Sequence, residues 1–244
     1  MIAIQATHLT KKYKGKIAVN SLNLSIEQGE LFALLGINGA GKSTTIKMLS
    51  CLTKPTSGDA TILGYSVVSD TMKVKERISV SPQETAIAPN LTVRENLELI
   101  AGIYGSNRKQ SVQKADAAVS SFGLSEIAKE KARTLSGGWQ RRLSISMALI
   151  SQPQILFLDE PTLGLDVLAR RELWRVITKL KGKVTMILTT HYLEEAESLS
   201  DRIGIMSKGE LKAIGTAEEL KQKTNAANFE DAFIALAEEG GMCT

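Results

Sequence analysis

The stretch Gly36-Ile37-Asn38-Gly39-Ala40-Gly41-Lys42-Ser43 decides the fold of this sequence. It follows the apolar run Leu31 to Leu35, which predicts a buried parallel strand, and it precedes a segment typical of a helix from about Lys42 to Leu52. In such a turn, glycines let the backbone N–H groups point inward at an anion, and the helix adds the positive end of its dipole. The pattern predicts a phosphate-binding loop, although a glycine-rich turn without a ligand is the alternative.

The end of this loop carries side chains that suit a nucleoside triphosphate with Mg²⁺. Lys42 can reach the β- and γ-phosphates, and the Ser43 hydroxyl can ligate Mg²⁺. Thr44 can donate a hydrogen bond to a phosphate nearer the ribose. The predicted nucleotide contacts of the loop are Gly36, Asn38, Gly39, Ala40, Gly41, Lys42, Ser43 and Thr44.

A second apolar run, Ile155 to Leu158, ends in the two carboxylates Asp159 and Glu160. The carboxyl ends of strands are where α/β sheets hold their ligands. Asp159 would hold Mg²⁺, directly or through water, and Glu160, which points the other way, would orient or deprotonate the attacking water. Taken alone, the same two residues could instead cap the following helix.

The order of the predicted elements indicates an α/β fold with two added parts. Alternating segments, Ile2 to Leu9 and Ala18 to Ile26, predict a small antiparallel sheet at the N-terminus. A mostly helical region at about residues 91–150 predicts an inserted α-helical subdomain. The expected fold class is therefore a P-loop NTPase core with a mixed or parallel sheet, an N-terminal antiparallel β subdomain and this helical insertion.

The second half of the chain supplies the rest of the predicted core. Val184 to Thr190 reads as a further buried strand, joined to the acidic strand by the helical stretch Leu168 to Leu180. A hairpin is predicted at about residues 203–214. We expect one domain over residues 1–216, followed by a short helical tail at 217–244.

Composition and charge limit the possible partners. The 244 residues are 43% hydrophobic, and 30 basic and 26 acidic residues give a net charge of +4 without a dense basic tract, so no nucleic-acid partner is expected. No apolar run approaches the roughly 20 residues of a membrane-spanning helix. The N-terminus does not resemble a secretory signal, so we expect a cytoplasmic location. Cys51 and Cys243 are expected to be incidental thiols.

The hexapeptide Leu135-Ser136-Gly137-Gly138-Trp139-Gln140 resembles the signature of ATP-binding-cassette (ABC) proteins, and the resemblance extends over residues 2–216. Physically, it is a second anion site, because the Ser136 hydroxyl and the following glycine N–H groups stand at the start of a predicted helix. An ordinary helix cap with two glycines is the alternative. The resemblance implies ATP hydrolysis by a head-to-tail dimer in which each ATP lies between the phosphate loop of one cassette and the signature of the other.

The resemblance also implies roles for single residues. Gln83 is similar to the glutamine that senses Mg²⁺ and the γ-phosphate, and His191 to the switch histidine that contacts the γ-phosphate. Tyr13 resembles the aromatic residue that stacks on adenine, a contact worth about 1–3 kcal/mol. Taken individually, these three residues could be a solvated loop residue, a structural histidine and a surface tyrosine.

Asp166 resembles the aspartate of the loop that meets the partner cassette. In this loop the sequence has Leu163 and Val167 where many family members have serine and proline.

The complete expected site has three groups. The catalytic residues are Lys42, Gln83, Glu160 and His191, and the Mg²⁺ ligands are Ser43, Gln83 and Asp159. The contacts to ATP of the partner are Ser136, Gly137, Gly138, Gln140 and Asp166.

Two functions are compatible with this resemblance. In the first, the chain is the ATP-hydrolysing subunit of a membrane transporter, peripheral on the cytoplasmic face of the plasma membrane. It would pair with a second copy of itself or a related cassette, and a separate transmembrane permease subunit would dock at about residues 83–104. Thr53 to Gly58, Leu91 to Leu97 and the segment Phe229 to Phe233 resemble export-type ABC-2 cassettes.

The alternative is a soluble ABC ATPase that acts on the ribosome or on nucleic acid. Relatives of that kind carry two cassettes in one chain or a long coiled coil, and this sequence has neither an internal repeat nor a heptad pattern. A cassette that only binds ATP is disfavoured because Glu160 and His191 are both present.

Overall fold

Two β-sheets, nine α-helices and a short 3-10 helix at Ala132–Thr134 lie within residues 1–238, the part of the chain that this computed structural model describes. Cys243 and the end of the predicted tail lie outside these residues. In chain order the strands are β1 (Ile2–Tyr13), β2 (Lys16–Glu27), β3 (Leu31–Leu35), β4 (Ser57–Ile62), β5 (Tyr65–Ser66), β6 (Ile78–Ser81), β7 (Ile155–Asp159), β8 (Thr185–Thr190), β9 (Arg202–Ser207) and β10 (Glu210–Gly215). The helices are α1 (Lys42–Leu49), α2 (Thr71–Lys75), α3 (Val93–Ile103), α4 (Arg108–Ser121), α5 (Gly137–Leu149), α6 (Val167–Thr178), α7 (Leu193–Leu199), α8 (Ala217–Thr224) and α9 (Phe229–Glu238).

The N-terminal sheet is antiparallel, in the order β2-β1-β4-β5. Apolar residues of β1 and β2 meet across the ladder, as in the pairs Ile4 with Ile26 and Ala6 with Leu24, and all four are buried. This pairing follows from the alternating sequence pattern, which places every second side chain on the covered face. The predicted antiparallel sheet is confirmed, and β1 runs beyond its predicted end to Tyr13.

The second sheet is mixed, in the order β10-β9-β3-β8-β7-β6, and it forms the P-loop NTPase core. β3, β6, β7, β8 and β9 run parallel, and only β10 is antiparallel to its neighbour. The register pairs Leu35 with Thr190 and Asp159 with Thr189. Parallel strands in this register end at the same edge, so the loops after β3, β6, β7 and β8 open there together.

Helix α1 is shorter than predicted, because it ends at Leu49 and not near Leu52. Cys51 has a left-handed backbone with φ 57°, and the N–H of Leu52 donates to the Lys47 carbonyl at 2.8 Å. These contacts satisfy the last carbonyls of the helix and turn the chain away. Leu52 is exposed, so no burial favours another helical turn.

The segment at residues 57–81 forms β4, β5, α2 and β6, to which the sequence pattern assigned no structure. β4 begins with Ser57, Gly58 and Asp59, and β5 has only two residues. Such short polar elements carry no readable periodicity, so their pairing with β1 and β7 decides their structure.

Helices α3, α4 and α5 enclose a hydrophobic cluster of their own, separate from the clusters of the two sheets. Both α3 and α4 begin with a capping box, formed by Thr92 with Glu95 and by Asn107 with Gln110. A capping box satisfies two free N–H groups at the start of a helix and fixes where it begins. These helices lie in the region where an inserted helical subdomain was predicted.

The C-terminal helices pack onto the mixed sheet. Leu220 of α8 and Phe229 and Leu236 of α9 share a buried cluster with Ala33 and Leu35 of β3.

Within residues 1–238, no helix has both the length and the apolar character needed to cross a membrane.

Asn96 anchors the loop that leads into the helical region. Its side chain is fully buried, and its Oδ1 accepts from the Ala88 N–H at 2.7 Å. Its Nδ2 donates to the carbonyls of Ala88 at 3.1 Å and Thr92 at 2.9 Å. One amide therefore satisfies several backbone groups of the loop that precedes α3.

We predict that Asn96→Ala lowers the free energy of unfolding by about 2–4 kcal/mol, because buried backbone groups lose their partner. Urea unfolding followed by circular dichroism measures this change. Asn90→Ala, at an exposed position of the same segment, is the control and should change stability by less than about 0.5 kcal/mol. Equal effects of the two substitutions would contradict the anchoring role.

Candidate active site

A cleft of about 660 Å³ opens at the edge where the parallel strands end. The predicted ATP-binding and catalytic residues that line it are Tyr13, Asn38, Gly39, Ala40, Gly41, Lys42, Ser43, Thr44, Gln83, Glu160 and His191. Gly36 and Asp159 lie directly behind this lining, at the ends of β3 and β7. The structure thus brings the predicted catalytic residues and the predicted Mg²⁺ ligands together at this edge.

The glycine-rich loop has the backbone that its sequence predicts. Gly39 and Gly41 have φ values of 82° and 107°, in a region that other residues rarely adopt. A Cβ at Gly41 would lie 2.5 Å from the Ala18 carbonyl oxygen, so the close approach of β2 also requires glycine there. α1 begins immediately afterwards at Lys42, which leaves its first N–H groups free for an anion.

Lys42, Glu160 and the half-buried His191 form a polar cluster at the back of the cleft. Lys42 Nζ donates to the Gly36 carbonyl at 2.7 Å and lies 3.3 Å from Glu160 Oε1. The second carboxylate oxygen, Glu160 Oε2, lies 2.6 Å from His191 Nδ1. Lys42 and Glu160 are only 5% and 6% exposed, so each charge depends on its partners in place of water. An anion entering the cleft would compete for Lys42 and His191.

Asp159 lies beside Ser43 and forms an oxygen-only donor set. Ser43 Oγ donates to Asp159 Oδ1 at 3.1 Å, and Thr189 Oγ1 donates to the same oxygen at 2.5 Å. Mg²⁺ prefers such hydroxyl and carboxylate oxygens and completes its shell with phosphates and water. No group of three or more His, Cys, Asp or Glu side chains within residues 1–238 could hold a metal. Ser43 and Asp159 therefore offer two oxygen donors that fit Mg²⁺.

The backbone at Glu160 is strained. Its φ is 49°, in the left-handed region, and its N–H lies 3.1 Å from both the carbonyl and the hydroxyl oxygen of Thr189. Such a conformation costs about 1–3 kcal/mol and persists only where the surroundings enforce it. Neighbouring β8 thus fixes the backbone from which the Glu160 carboxylate reaches Lys42 and His191.

Tyr13 lies at the outer edge of the cleft. The residue is 44% exposed, and Lys11 Nζ lies 5.0 Å from the ring centroid. An exposed aromatic face at this position is available for stacking on a base.

The signature residues form a different surface. Ser136, Gly138 and Asp166 line a second cleft of about 210 Å³, and none of them lines the first. Asp166 caps α6 by accepting from the N–H groups of Leu168 and Ala169, both at 2.9 Å. The two predicted anion sites of one chain are therefore separate.

The start of α5 shows why two glycines stand in the signature. Gly137 is exposed, and a Cβ at Gly138 would lie 2.9 Å from Ala169 Cβ, so glycine lets α5 approach α6 closely. Ser136 is the N-cap of α5, and it makes no side-chain capping bond within the described residues. The Gln140 amide donates to the carbonyl of Leu135 at 3.1 Å. Gln140 is thus engaged with its own chain, whereas Ser136 and Gly137 face solvent.

Arg141 is a residue of this site that sequence reasoning missed. It is 5% exposed, and its guanidinium donates to the carbonyls of Pro82 and Gln83, both at 2.6 Å. Burial lowers the pKa of this guanidinium, although the Asp159 and Glu195 carboxylates oppose that change. Arg141 ties the signature helix to the loop of Gln83. The feature of the sequence that could have identified it is that Arg141 is the one charged residue among the buried residues of α5, which are otherwise apolar or small.

Residues from hairpins also line the main cleft without having been predicted. They are Lys16, Ile17, Ala18, Lys208 and Gly209. Their sequence neighbourhoods carry no motif, because only the pairing of the strands brings them to this edge.

Comparison with known proteins finds a family and relatives that agree with one another in their descriptions. The family described as ABC transporter matches residues 19–163. The linearmycin resistance ATP-binding protein LnrL of Bacillus subtilis (strain 168) is 43% identical over 218 residues, which cover 89% of this chain and 70% of that protein. The daunorubicin/doxorubicin resistance ATP-binding protein DrrA of Streptomyces peucetius is 40% identical over 90% of this chain and 67% of its own length.

Solved structures give the same fold. A structure described as the ATP-binding subunit of an ABC transporter superposes with a TM-score of 0.84 at 28% identity, over 96% of this chain and 99% of that chain. A dimeric ATP-binding cassette in a post-hydrolysis state with ADP and Pi superposes with a TM-score of 0.79 at 28% identity, over 87% and 98% of the two chains. The predicted P-loop fold and ATPase chemistry are confirmed, and this chain belongs to the ATP-binding proteins of the ABC transporter family.

Proposed function

We propose that this ATPase is the motor subunit of an export-type ABC transporter, working as a head-to-tail dimer with separate transmembrane subunits. The observation that carries the proposal is the separation of the two anion sites, since the clefts of Lys42 and Ser136 share no lining residue. One copy therefore offers two half-sites. A second copy, or a related cassette, would complete each of them.

The dimer would place Ser136, Gly137, Gly138, Gln140 and Asp166 of one cassette against ATP held by the other. The exposure of Ser136 and Gly137 supports this role, because free N–H groups at a helix start bind anions. Gln140 would have to leave the Leu135 carbonyl before it could contact the nucleotide. The related cassette with ADP and Pi is itself described as dimeric.

Hydrolysis would use the polar cluster. Lys42 would move from the Gly36 carbonyl to the β- and γ-phosphates, which would free Glu160 Oε1 to accept a proton from the attacking water. The water oxygen would attack the γ-phosphorus, and the bond to ADP would break. His191 would hold the γ-phosphate, Gln83 would contact it from the loop after β6, and Tyr13 would stack on adenine.

Ser43, Asp159 and Gln83 would hold Mg²⁺, which neutralises phosphate charge when it is bound. The hydrogen bond between Ser43 Oγ and Asp159 Oδ1 supports this assignment, because it already brings two hard oxygen donors together.

The names of the relatives support export, since both are described as drug-resistance ATP-binding proteins. An apolar strip on and beside α3 supports a docked permease: Leu99, Ile103 and Tyr104 are 45%, 68% and 52% exposed. Docking there would hold the chain at the cytoplasmic face of the plasma membrane.

We assign residues 1–216 to the ABC domain, with a helical subdomain at about 91–150, and 217–244 to a C-terminal tail.

Copurification tests the whole proposal. The tagged chain is extracted from membranes of its own organism in mild detergent, and the proteins that copurify are identified by mass spectrometry. A multi-spanning membrane protein in near-equal amount is expected. Recovery with ribosomal or DNA-bound proteins would support instead a soluble ATPase acting on ribosome or nucleic acid.

We predict that Glu160→Gln lowers the kcat for ATP hydrolysis by about 10²–10⁴-fold, because the neutral amide cannot take a proton from water. The Kd for ATP should stay unchanged, and light scattering should detect a dimer that persists with ATP. Glu126→Gln, at an exposed site, is the matched control. Unchanged turnover would remove Glu160 from the role of the base.

We predict that Lys42→Ala raises the Kd for ATP by about 10- to 100-fold, the range expected for losing hydrogen bonds from a charged donor. Titration with a fluorescent ATP analogue measures this change. Lys47→Ala, on the exposed side of the same helix, should bind like the unmodified protein. Equal affinities of the two variants would refute the phosphate-loop assignment.

We predict that Ile103→Asp prevents copurification of the permease while the Kd for ATP stays unchanged, because a buried unpaired charge disrupts an apolar contact. Ile234→Asp, at a 46% exposed isoleucine of α9, is the control and should retain the permease. Retention by both variants would place the docking surface elsewhere.

A further inference from the structure

A buried carboxyl that the mechanism above does not use lies next to the active site. Glu195 belongs to α7, which begins two residues after His191, and it is 0% exposed. Its Oε1 accepts from Trp174 Nε1 at 3.1 Å. Its Oε2 and the hydroxyl of Thr162 are both buried without a hydrogen-bond partner within the described residues. Polar groups left in this condition cost free energy, so their position calls for a reason.

Glu195 contacts the two segments that carry the reacting groups. The hydroxyls of Thr162 and Thr190 lie near its carboxyl, although Oε2 receives no hydrogen bond of good geometry within the described residues. Thr162 follows Glu160 by two residues, and Thr190 directly precedes His191. Thr190 Oγ1 already accepts from the Tyr192 N–H at 3.0 Å, which leaves its own hydrogen to donate. One carboxyl thus lies between the chain that leaves β7 and the chain that leaves β8.

Burial favours the neutral form of this carboxyl. Burial raises the pKa of Glu195, the nearby Thr190 and Thr162 hydroxyls and the Trp174 indole oppose this change, and the Glu160 carboxylate adds to it. Arg141 of α5 interacts electrostatically with Glu195, and Arg170 of α6 packs on the ring of Trp174. Arg141 donates to the carbonyls of Pro82 and Gln83, and Arg170 pairs with Glu194. A protonated Oε2 has an O–H to donate to a threonine hydroxyl, which would give both partnerless atoms a partner.

We propose that Glu195 is a positioning residue for ATP hydrolysis, whose buried carboxyl holds the segment after Glu160 against the end of β8 that carries His191. The proposal rests on the roles proposed above for Glu160 and His191. These two side chains lie 2.6 Å apart and directly follow different strands, so their separation depends on how the two strand ends are joined. Glu195 joins them from behind, without contacting the nucleotide.

Two other roles for Glu195 make different predictions. A carboxyl that only fills space can be replaced by an apolar side chain of similar volume without loss of activity. A counter-ion of Arg141 needs its negative charge, so neither glutamine nor leucine could replace it. A neutral positioning residue can be replaced by glutamine but not by leucine.

The test uses the full chain and compares Glu195→Gln with Glu195→Leu, measuring kcat, KM for ATP with Mg²⁺, Tm and the pH dependence of kcat. Glu195→Gln should keep kcat within about 3-fold. Glu195→Leu should lose about 10-fold or more in kcat with KM and Tm nearly unchanged, since small misplacements of catalytic groups cost that much. Glu197→Leu, at an exposed position of the same helix, is the control and should keep full activity.

Two outcomes would overturn the proposal. Full kcat in Glu195→Leu would reduce the carboxyl to a space-filling role. An equal loss in both variants would assign Glu195 to Arg141 as a counter-ion. The pH profile is a second readout, because removing a like charge beside the water-activating carboxylate would move its acidic limb to lower pH. A neutral Glu195 predicts no such movement in Glu195→Gln.

Thr162→Val keeps the proposal testable if Glu195→Leu does not fold. It removes only the hydroxyl and should lower kcat by about 3- to 10-fold at unchanged Tm, whereas full kcat would contradict the contact. Glu160→Gln is assayed in parallel. If that variant retains turnover, the assignment of the base fails independently of Glu195.

Discussion

The parallel register of β3, β7 and β8 is the constraint on which this cassette depends. Because Leu35 pairs with Thr190 and Asp159 with Thr189, the three strands end within one residue of each other. A phosphate-binding turn, two carboxylates and an imidazole then emerge at one edge, although they are far apart in sequence. A slip of one residue in any of these pairs would turn a site residue to the other face of the sheet.

This alignment brings opposite charges together in a place with little water. There Lys42 and Glu160 form an ion pair. The Gly36 carbonyl accepts a hydrogen bond from Lys42, and His191 lies within hydrogen-bond distance of Glu160. The cluster is therefore well paired but built from contacts that a polyphosphate can replace. Nucleotide entry would exchange one set of electrostatic partners for another, which makes binding a rearrangement of the polar cluster as well as an addition to it.

Much of this arrangement could be predicted from the sequence. The phosphate loop, the acidic strand and the apolar strands have strong local patterns, and these elements and the fold are confirmed. The end of α1, the elements between residues 57 and 81 and the left-handed backbone of Glu160 could not be predicted, because contacts with distant strands decide them. Arg141 was missed for the same reason, since its partners lie almost 60 positions earlier in the chain. The roles of the individual site residues stay predictions.

The packing of α9 on the mixed sheet has a consequence for genetics. Phe229 and Leu236 share a cluster with Leu35, the last residue before the phosphate loop. The far end of the described chain thus supports the strand that presents the loop to its ligand, although no residue of α9 lines the cleft. In a screen for inactive alleles, substitutions in this C-terminal helix would be recovered together with substitutions in the phosphate loop. Deletions that remove the helix would expose apolar surface of the mixed sheet and promote aggregation.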